Sequence, residues 1–476
     1  MSQSSLTLRA RSPIPFYRDT RILALLTQLA FVVVVVLIGW YLINNMRLNL
    51  RASNIPFGWS FLRQEAGFEI AEGPDFSPAQ SYARAFGVGL ANTVRVAVSA
   101  IALATLLGIL IGVARLSSNW LVRTLASIYV ELIRNTPLLV QLFFWYFAVI
   151  LKLPDIKTSN EIPGVALLSN RGIGLTWPRL SATGQPLLYW LAAAVALAVL
   201  VGLFIRQRRR RRGQIGGGIG PALLTWVAVL ALGYGISSAT ATLPANAAYT
   251  LQQGDRGVLY ADRNADGQYS ADVDQPLRYV PVTLLAEDGS ELGTTQTDGA
   301  GAFRFFGLAQ EGSSLAWTPP APIVFDQPVL QGFNYRGGQQ LSPEFAAMLI
   351  GLTIYTAAFI AEIVRGGINA IPKGQWEASR ALGLSNGQTL RLIVLPQALR
   401  VIIPPLTNQY LNLTKNSSLA IAVGYPDLFN VSRTIFNQSG ATVQMFLLIM
   451  ATYLALSLLT SLFMNWYNRR VALIEG

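Results

Sequence analysis

Apolar runs of membrane-crossing length recur along this chain, and they constrain its fold more than any other feature. A helix needs about 20 consecutive, mostly apolar residues to cross a bilayer. Runs at 22–43, 96–114, 135–151, 187–205, 219–240, 345–361 and 443–466 qualify, and 401–422 is an eighth, interrupted by Pro404, Pro405 and Lys415. Charged residues are 13% of the chain and apolar ones 52%, too few charges for an ordinary soluble domain. The expectation is an all-α polytopic membrane protein with about eight transmembrane helices.

Residue types then exclude several chemistries. Cys and His are absent, which removes disulfides, thiolate metal sites and the commonest general base. The net charge of +12 sits mostly in short basic clusters beside apolar runs. That is the cytoplasmic-loop bias of membrane proteins, so no nucleic-acid partner is expected; the partner is lipid. The first run is long enough for an anchor rather than a removable signal. Arg9, Arg11, Arg18 and Arg21 place the N-terminus inside. Arg115 and Arg123, Arg208 to Arg212, Lys373 to Arg400, and Arg469 with Arg470 place the even-numbered span exits and the C-terminus on that same side. Arg95 is expected to snorkel at the outer end of the second span. Phe57, Trp59, Phe61 and Phe68 in the first outer loop read as an interfacial aromatic belt.

Four regions follow: 1–84, an anchor helix and outer loop; 85–250, core with extra helices; 251–340, an extracytoplasmic insert; and 341–476, the rest of the core. In the insert, 279–285 and 302–306 alternate as strands, and Glu287-Asp288-Gly289-Ser290 reads as a hairpin turn. A small β-sandwich is expected. Its Asp262-Arg263-Asn264-Ala265-Asp266-Gly267 places oxygens at alternate positions before a glycine, as in loops that wrap Ca²⁺. Asp272 or Asp274 would close the shell. The alternative is an Asx-rich turn without metal. The segment resembles the calcium-binding, immunoglobulin-like B repeats of bacterial surface proteins, through that loop, Val280 to Leu284, Thr297-Asp298-Gly299 and Phe303-Arg304-Phe305. The resemblance implies Ca²⁺ bound by the insert.

After the sixth run come Glu377-Ala378-Ser379, then Gly383, then Ile393-Val394-Leu395-Pro396. The spacing matches the EAA loop of ABC-importer membrane subunits, with Ser379 in place of an alanine. The resemblance implies two short cytoplasmic helices, about 372–384 and 388–395 around a turn at Ser385-Asn386-Gly387, docked into a separate ATPase. Glu377, Ala378, Ser379, Gly383, Leu395 and Pro396 would carry the coupling. Gly89 to Val94, Tyr129 to Leu139, Leu395 to Arg400 and Thr414 to Leu419 resemble segments of polar amino-acid permeases. Gly67-Phe68-Glu69-Ile70 in a long first outer loop resembles the general L-amino-acid subgroup, related to glutamate, glutamine, aspartate and asparagine importers. That implies a non-catalytic permease subunit of the bacterial inner membrane with no cofactor in its core. Its partners would be an ATPase dimer that binds ATP, a second permease (homologous or identical) and an extracytoplasmic amino-acid-binding protein. No G-x-x-x-x-G-K-[ST] loop occurs in the chain itself.

Polar groups at membrane depth are costly and normally face a partner or cavity. Asn408, Asn412, Thr414, Lys415, Asn416 and Ser417 cluster in a run read as broken at Pro404-Pro405. Lys415 is a candidate partner for a substrate carboxylate and Glu362 for its ammonium. For Glu362 with Arg365, and for Glu131 with Arg134, a membrane-edge salt bridge is the alternative. A secondary, ion-coupled transporter would instead show two related repeats with midplane carboxylates, and a surface adhesin would need a single anchor.

Overall fold

The computed structural model describes residues 20–52, 58–212, 219–252, 256–305, 313–331 and 334–471. Arg9, Arg11, Arg18, Phe57 and Phe306 lie outside them. The helices are α1 (Thr20–Ala52), α2 (Tyr82–Ala114), α3 (Trp120–Arg134), α4 (Leu138–Phe143), α5 (Gln185–Arg211), α6 (Ile219–Ala239), α7 (Pro343–Asn369), α8 (Lys373–Ala381), α9 (Asn386–Thr389), α10 (Leu395–Asn416), α11 (Leu428–Ser439) and α12 (Thr442–Val471). Among the described residues seven helices are long and apolar enough to cross a membrane, and the bent pair α3–α4 would make eight.

Two of the expected spans take a different form. The third is not one helix from Asn135: α3 and α4 meet at 105°. Pro137 lacks an N–H and disfavours helical backbone at Thr136, so the helix stops there. Gln141 Nε2 clamps the corner by donating to the Ile133 and Thr136 carbonyls at 2.9 and 3.0 Å. The seventh is not broken at Pro404-Pro405. α10 runs through both prolines, which only withhold donors from the Arg400 and Val401 carbonyls. The regular helix ends later, in a 3₁₀ segment at Ser417–Ala422.

The chain forms two compact units, one of residues up to 145 and from 347 onward, the other of 146–346. In the first, α2, α7 and α10 share a core of Ala104, Ala357, Ile360, Val364, Ala398 and Ile402, joined by Ile371 and Val394. Gly108 and Gly112 let α2 lie against α7: a Cβ at Gly112 would stand 2.8 Å from the Ala361 carbonyl oxygen and from the Val364 Cβ. Small residues four apart serve this close approach in lipid, where apolar burial gives little drive. A second core joins the loop preceding α2 to α2, α11 and α12. Phe61 and Phe68 are part of it, packed on Tyr82, Val431 and Ile435. They are therefore interior residues rather than an aromatic belt; Trp59 alone of the four is shown largely exposed.

The second unit holds the α5–α6 hairpin and a strand-rich inserted region. Its strands are β1 (Asn160–Ile162), β2 (Ala166–Ser169), β3 (Gly172–Leu175), β4 (Trp177–Leu180), β5 (Ala247–Gln252), β6 (Arg256–Ala261), β7 (Gln275–Pro276), β8 (Pro281–Leu285), β9 (Glu291–Gln296), β10 (Ala302–Arg304), β11 (Ser314–Trp317), β12 (Ile323–Asp326), β13 (Val329–Gln331), β14 (Asn334–Arg336) and β15 (Gln339–Leu341). The sheet β10-β6-β5, with β7 on β6, and the sheet β11-β8-β9 are antiparallel. They share a core of Leu259, Val280, Val282, Leu284, Phe303 and Phe305. The 287–290 turn joins β8 to β9, with Gly289 at φ +79° and the Asp288 carboxylate accepting from the Ser290 N–H. The strands at 160–180 have no counterpart in the sequence reading. β4 pairs with β12 and β3 with β15, so chain from before α5 completes sheets with chain from after α6.

Candidate functional site

The segment after α7 is built to hold one face rigid and leave the other bare. Pro372 caps α8, and Ile371, Val394 and the half-buried Trp376 fasten the segment to the α2–α7–α10 core. Ser379 is buried, and its Oγ donates to the Gln375 carbonyl at 2.6 Å, satisfying the hydroxyl within the helix. Glu377 and Ala378 are exposed beside it.

Gly383 ends α8 for a conformational reason. Its φ is +76°, its N–H donates to the Arg380 carbonyl, and the Leu384 N–H donates to that of Ser379. This is the Schellman arrangement, whose left-handed position favours glycine. Among the described residues, no atom beyond its chain neighbours lies within 4 Å of a Cβ placed there. The adjacent Leu382 is 80% exposed.

The turn expected at Ser385-Asn386-Gly387 is instead the start of α9. Ser385 accepts from the Gln388 N–H while the Gln388 side chain accepts from the Ser385 N–H, a capping box. A π segment, Leu390–Val394, follows and leads into Leu395 and Pro396 at the head of α10. Leu395 is exposed and Pro396 half-buried. Beside this segment a cavity of about 720 Å³ is lined by residues including Leu110, Val122, Ile368, Trp376 and Leu390.

On α10, Pro404, Asn408, Asn412 and Lys415 are exposed and recur at helical spacing. The exposed faces of α1 and α12 are instead Leu, Val and Phe. Thr414 and Ser417 are buried, their hydroxyls donating to the carbonyls of Tyr410 and Thr414; Asn416 is half-buried. The six path candidates therefore divide. Asn412 and Lys415 lie on the bare face, whereas Thr414 and Ser417 are turned back on the helix. Glu362 is bonded to both Arg115, at the end of α2, and Arg365. It ties α2 to α7 as a salt bridge, with two guanidiniums on one carboxylate. Arg134 lies over the Phe359 ring, 5.3 Å from its centroid, rather than against Glu131.

A buried network near the other end of α2 was not read as a unit from the sequence. Asn92 Nδ2 donates to the carbonyls of Glu72 and Pro426 at 2.8 and 2.9 Å. Thr93 Oγ1 accepts from the Leu428 N–H. Arg95, expected to snorkel, pairs with Glu72 at 3.0 Å. Asp427 caps α11 through the Asn430 N–H and is contacted by the Tyr453 hydroxyl. Burial pushes its carboxyl up to about 7. The signal was present in Asn92-Thr93 and Asp427, polar residues beside apolar runs, but their sequence separation hides the contact.

In the strand region, Asp262 accepts from the Ala265 and Gly267 N–H groups, Asp266 from Gln268 N–H and the Asn264 side chain, and Asp274 from those of Arg263 and Ser270. Asp272 takes no part in these bonds. Among the described residues no group of three or more His, Cys, Asp or Glu is gathered to hold a metal. As arranged, the loop fits a hydrogen-bonded Asx turn better than the six to eight oxygens that Ca²⁺ requires.

Residues 339–473 match the family described as binding-protein-dependent transport system inner membrane component. The general L-amino acid transport system permease protein AapQ of Rhizobium johnstonii is 37% identical, over 96% of this chain and 94% of its own. The putative amino-acid ABC transporter permease protein YhdX of Escherichia coli is 40% identical over 94% and 93%. The glutamate/glutamine/aspartate/asparagine transport system permease protein BztB of Rhodobacter capsulatus is 34% identical over 96% and 95%.

Proposed function

Because this chain belongs to the amino-acid ABC transporter permeases, of the binding-protein-dependent inner membrane components, we propose that it is the translocating subunit of an importer for polar L-amino acids. ATP is hydrolysed by partner chains, and the α8–α9 segment is where they grip. The observation that carries this is the bare ridge Glu377, Ala378, Leu382 and Gly383 on a buried underside of Ile371, Trp376, Ser379 and Val394. A leucine 80% exposed beside a glycine with open space above it suits a groove on another protein. The basic clusters favour the orientation with both termini and this ridge cytoplasmic and 251–340, read as a small sandwich, outside.

The polar stripe of α10 supports a path. Asn408, Asn412 and Lys415 on a membrane helix are too costly to leave against lipid, so they face an aqueous route or a second permease, homologous or identical. Lys415 would meet the substrate carboxylate as a point charge. An extracytoplasmic binding protein would deliver the amino acid, and closure of two ATPases on ATP would shift the ridge and tilt the spans between inward- and outward-open states. Family membership replaces the secondary-transporter and adhesin readings.

Gly383→Asp tests the coupling. Asp tolerates the left-handed conformation better than most residues, and nothing in this chain fills the space. The variant is expected to insert and melt within about 1 kcal/mol of the parent, yet to lose ATP-driven uptake and co-purification with its ATPase. Retained uptake refutes the role.

A further inference from the structure

The strand-rich unit holds a charged cleft that the transport reading does not use. A cavity of about 490 Å³ is lined by residues including Arg179, Tyr279, Asp298, Asp326 and Arg336. A second, of about 740 Å³, shares Asp298, Asp326 and Arg336, and adds Arg256 and Arg304 beside Phe303 and Phe325. β4 supplies Arg179, β12 supplies Asp326, β14 supplies Arg336 and the turn after β9 supplies Asp298. Asp326 and Arg336 lie on one stretch of chain, to which β4 and the turn after β9 are brought from elsewhere in the sequence.

The charges are close but not consumed by each other. Arg179 Nε stands 3.8 Å from Asp326 Oδ2, and Arg336 Nη1 stands 3.9 Å from Asp298 Oδ2. A formed charge-assisted bond is about 2.7–2.9 Å. Main-chain groups hold part of each pair, Arg179 Nη2 donating to the Gly338 carbonyl at 3.0 Å and Asp298 Oδ1 accepting from the Ala300 and Ala302 N–H groups, which leaves the remaining donors and acceptors to meet a ligand. Burial also raises the Asp326 carboxyl above its usual range, so a cation beside it would be favoured.

The backbone is shaped around the same place. Tyr279 is buried with φ +56°, unusual for a bulky residue, and it is held there by bonds on either side. Thr297 Oγ1 accepts from the Val280 N–H and donates to the Leu277 carbonyl, both at 2.8 Å. A Cβ at Gly299 would stand 3.2 Å from the Tyr279 hydroxyl, so the ring reaches the 298–300 turn that borders the cleft. Gly337, at φ +75°, brings the main chain beside Asp326, where a Cβ would be 2.8 Å from Oδ1. Strain kept in place by surrounding bonds is a mark of sites that bind.

We propose that this cleft binds a free α-amino acid as its zwitterion. The ammonium would lie between Asp298 and Asp326 and the carboxylate between Arg179 and Arg336, with Arg256 and Arg304 favouring an acidic side chain. A simple anion would face two carboxylates and a simple cation two guanidiniums. A ligand carrying both signs answers both pairs.

The test is calorimetric titration of the purified full-length chain, without ATPase, with L-glutamate, N-acetyl-L-glutamate and glutarate. L-Glutamate is expected to bind. Losing the ammonium, in either of the other probes, is expected to weaken binding at least about tenfold. Asp326→Asn and Arg336→Gln should each weaken L-glutamate by a similar factor while the melting temperature holds. Arg336 has a side chain 67% exposed, so its replacement does not threaten the fold. No binding of L-glutamate at millimolar concentration overturns the proposal, as does equal binding of all three probes or unchanged affinity in both variants. The inference stands apart from the transport reading: ATP-driven uptake is a separate measurement, and either result leaves the other intact.

Discussion

Asp427 shows how much one residue's surroundings matter. It caps α11 from a buried position, and burial outweighs the backbone N–H groups that favour its charged form, lifting the carboxyl to about 7. The unfolded chain would titrate near 3.9. Between those values the folded state holds the extra proton. The favourable contribution is present in full below about pH 4 and is lost as pH rises through about 7. Asp427→Asn keeps a good cap and removes the titration. The wild type is expected to lose melting temperature between pH 5 and pH 8, and the variant to lose less; parallel curves would show that Asp427 is not the group responsible. The Asx loop at 262–274 makes the opposite point. Its composition suggested Ca²⁺, and its carboxylates accept from main-chain N–H groups as those of an Asx turn do. Chelation with EDTA is expected to leave the melting temperature unchanged, and a clear fall would restore the calcium reading.

Among elements, α10 differs most from its sequence reading. Two prolines suggested a break, yet the helix continues, because each proline costs a single donor and packing of Ile402, Ile403 and Leu406 holds the axis. Its polar residues then separate by face rather than forming one cluster. Periodicity sorts these residues only once the helix is known to be continuous. Lys415→Met is accordingly expected to lower ATP-driven uptake at least about tenfold, a loss of about 1.4 kcal/mol, with ATPase co-purification unchanged. Uptake at the parental rate would take Lys415 out of the path. At the α3–α4 corner the Pro137 signal was visible in the sequence, but its consequence, a 105° bend, depends on where Gln141 reaches back.

At the scale of the whole molecule, the inserted region begins earlier than its composition suggests. Residues 160–180 are short and irregular in pattern; β1, β2 and β3 pair locally, and β15 and β12 return to extend β3 and to pair β4. Excising 250–340 alone would leave β4 without its partner and β3 with β2 alone. That variant is expected to express poorly or melt lower, whereas removal of 156–341 with a short linker, which takes out both α5 and α6, is expected to keep ATP-driven uptake. Uptake retained by the first deletion and lost by the second would reverse this division. The sequence by itself determined that the chain is a helical membrane protein with about eight apolar runs and that it resembles an amino-acid ABC permease, since run length and fixed local spacing are written along the chain. Only the tertiary structure decided which polar groups are spent on internal ties, such as Glu362 and Asn92, and which stay bare, such as Glu377 and Lys415. Pairing and burial join residues hundreds of positions apart, and no local pattern records them.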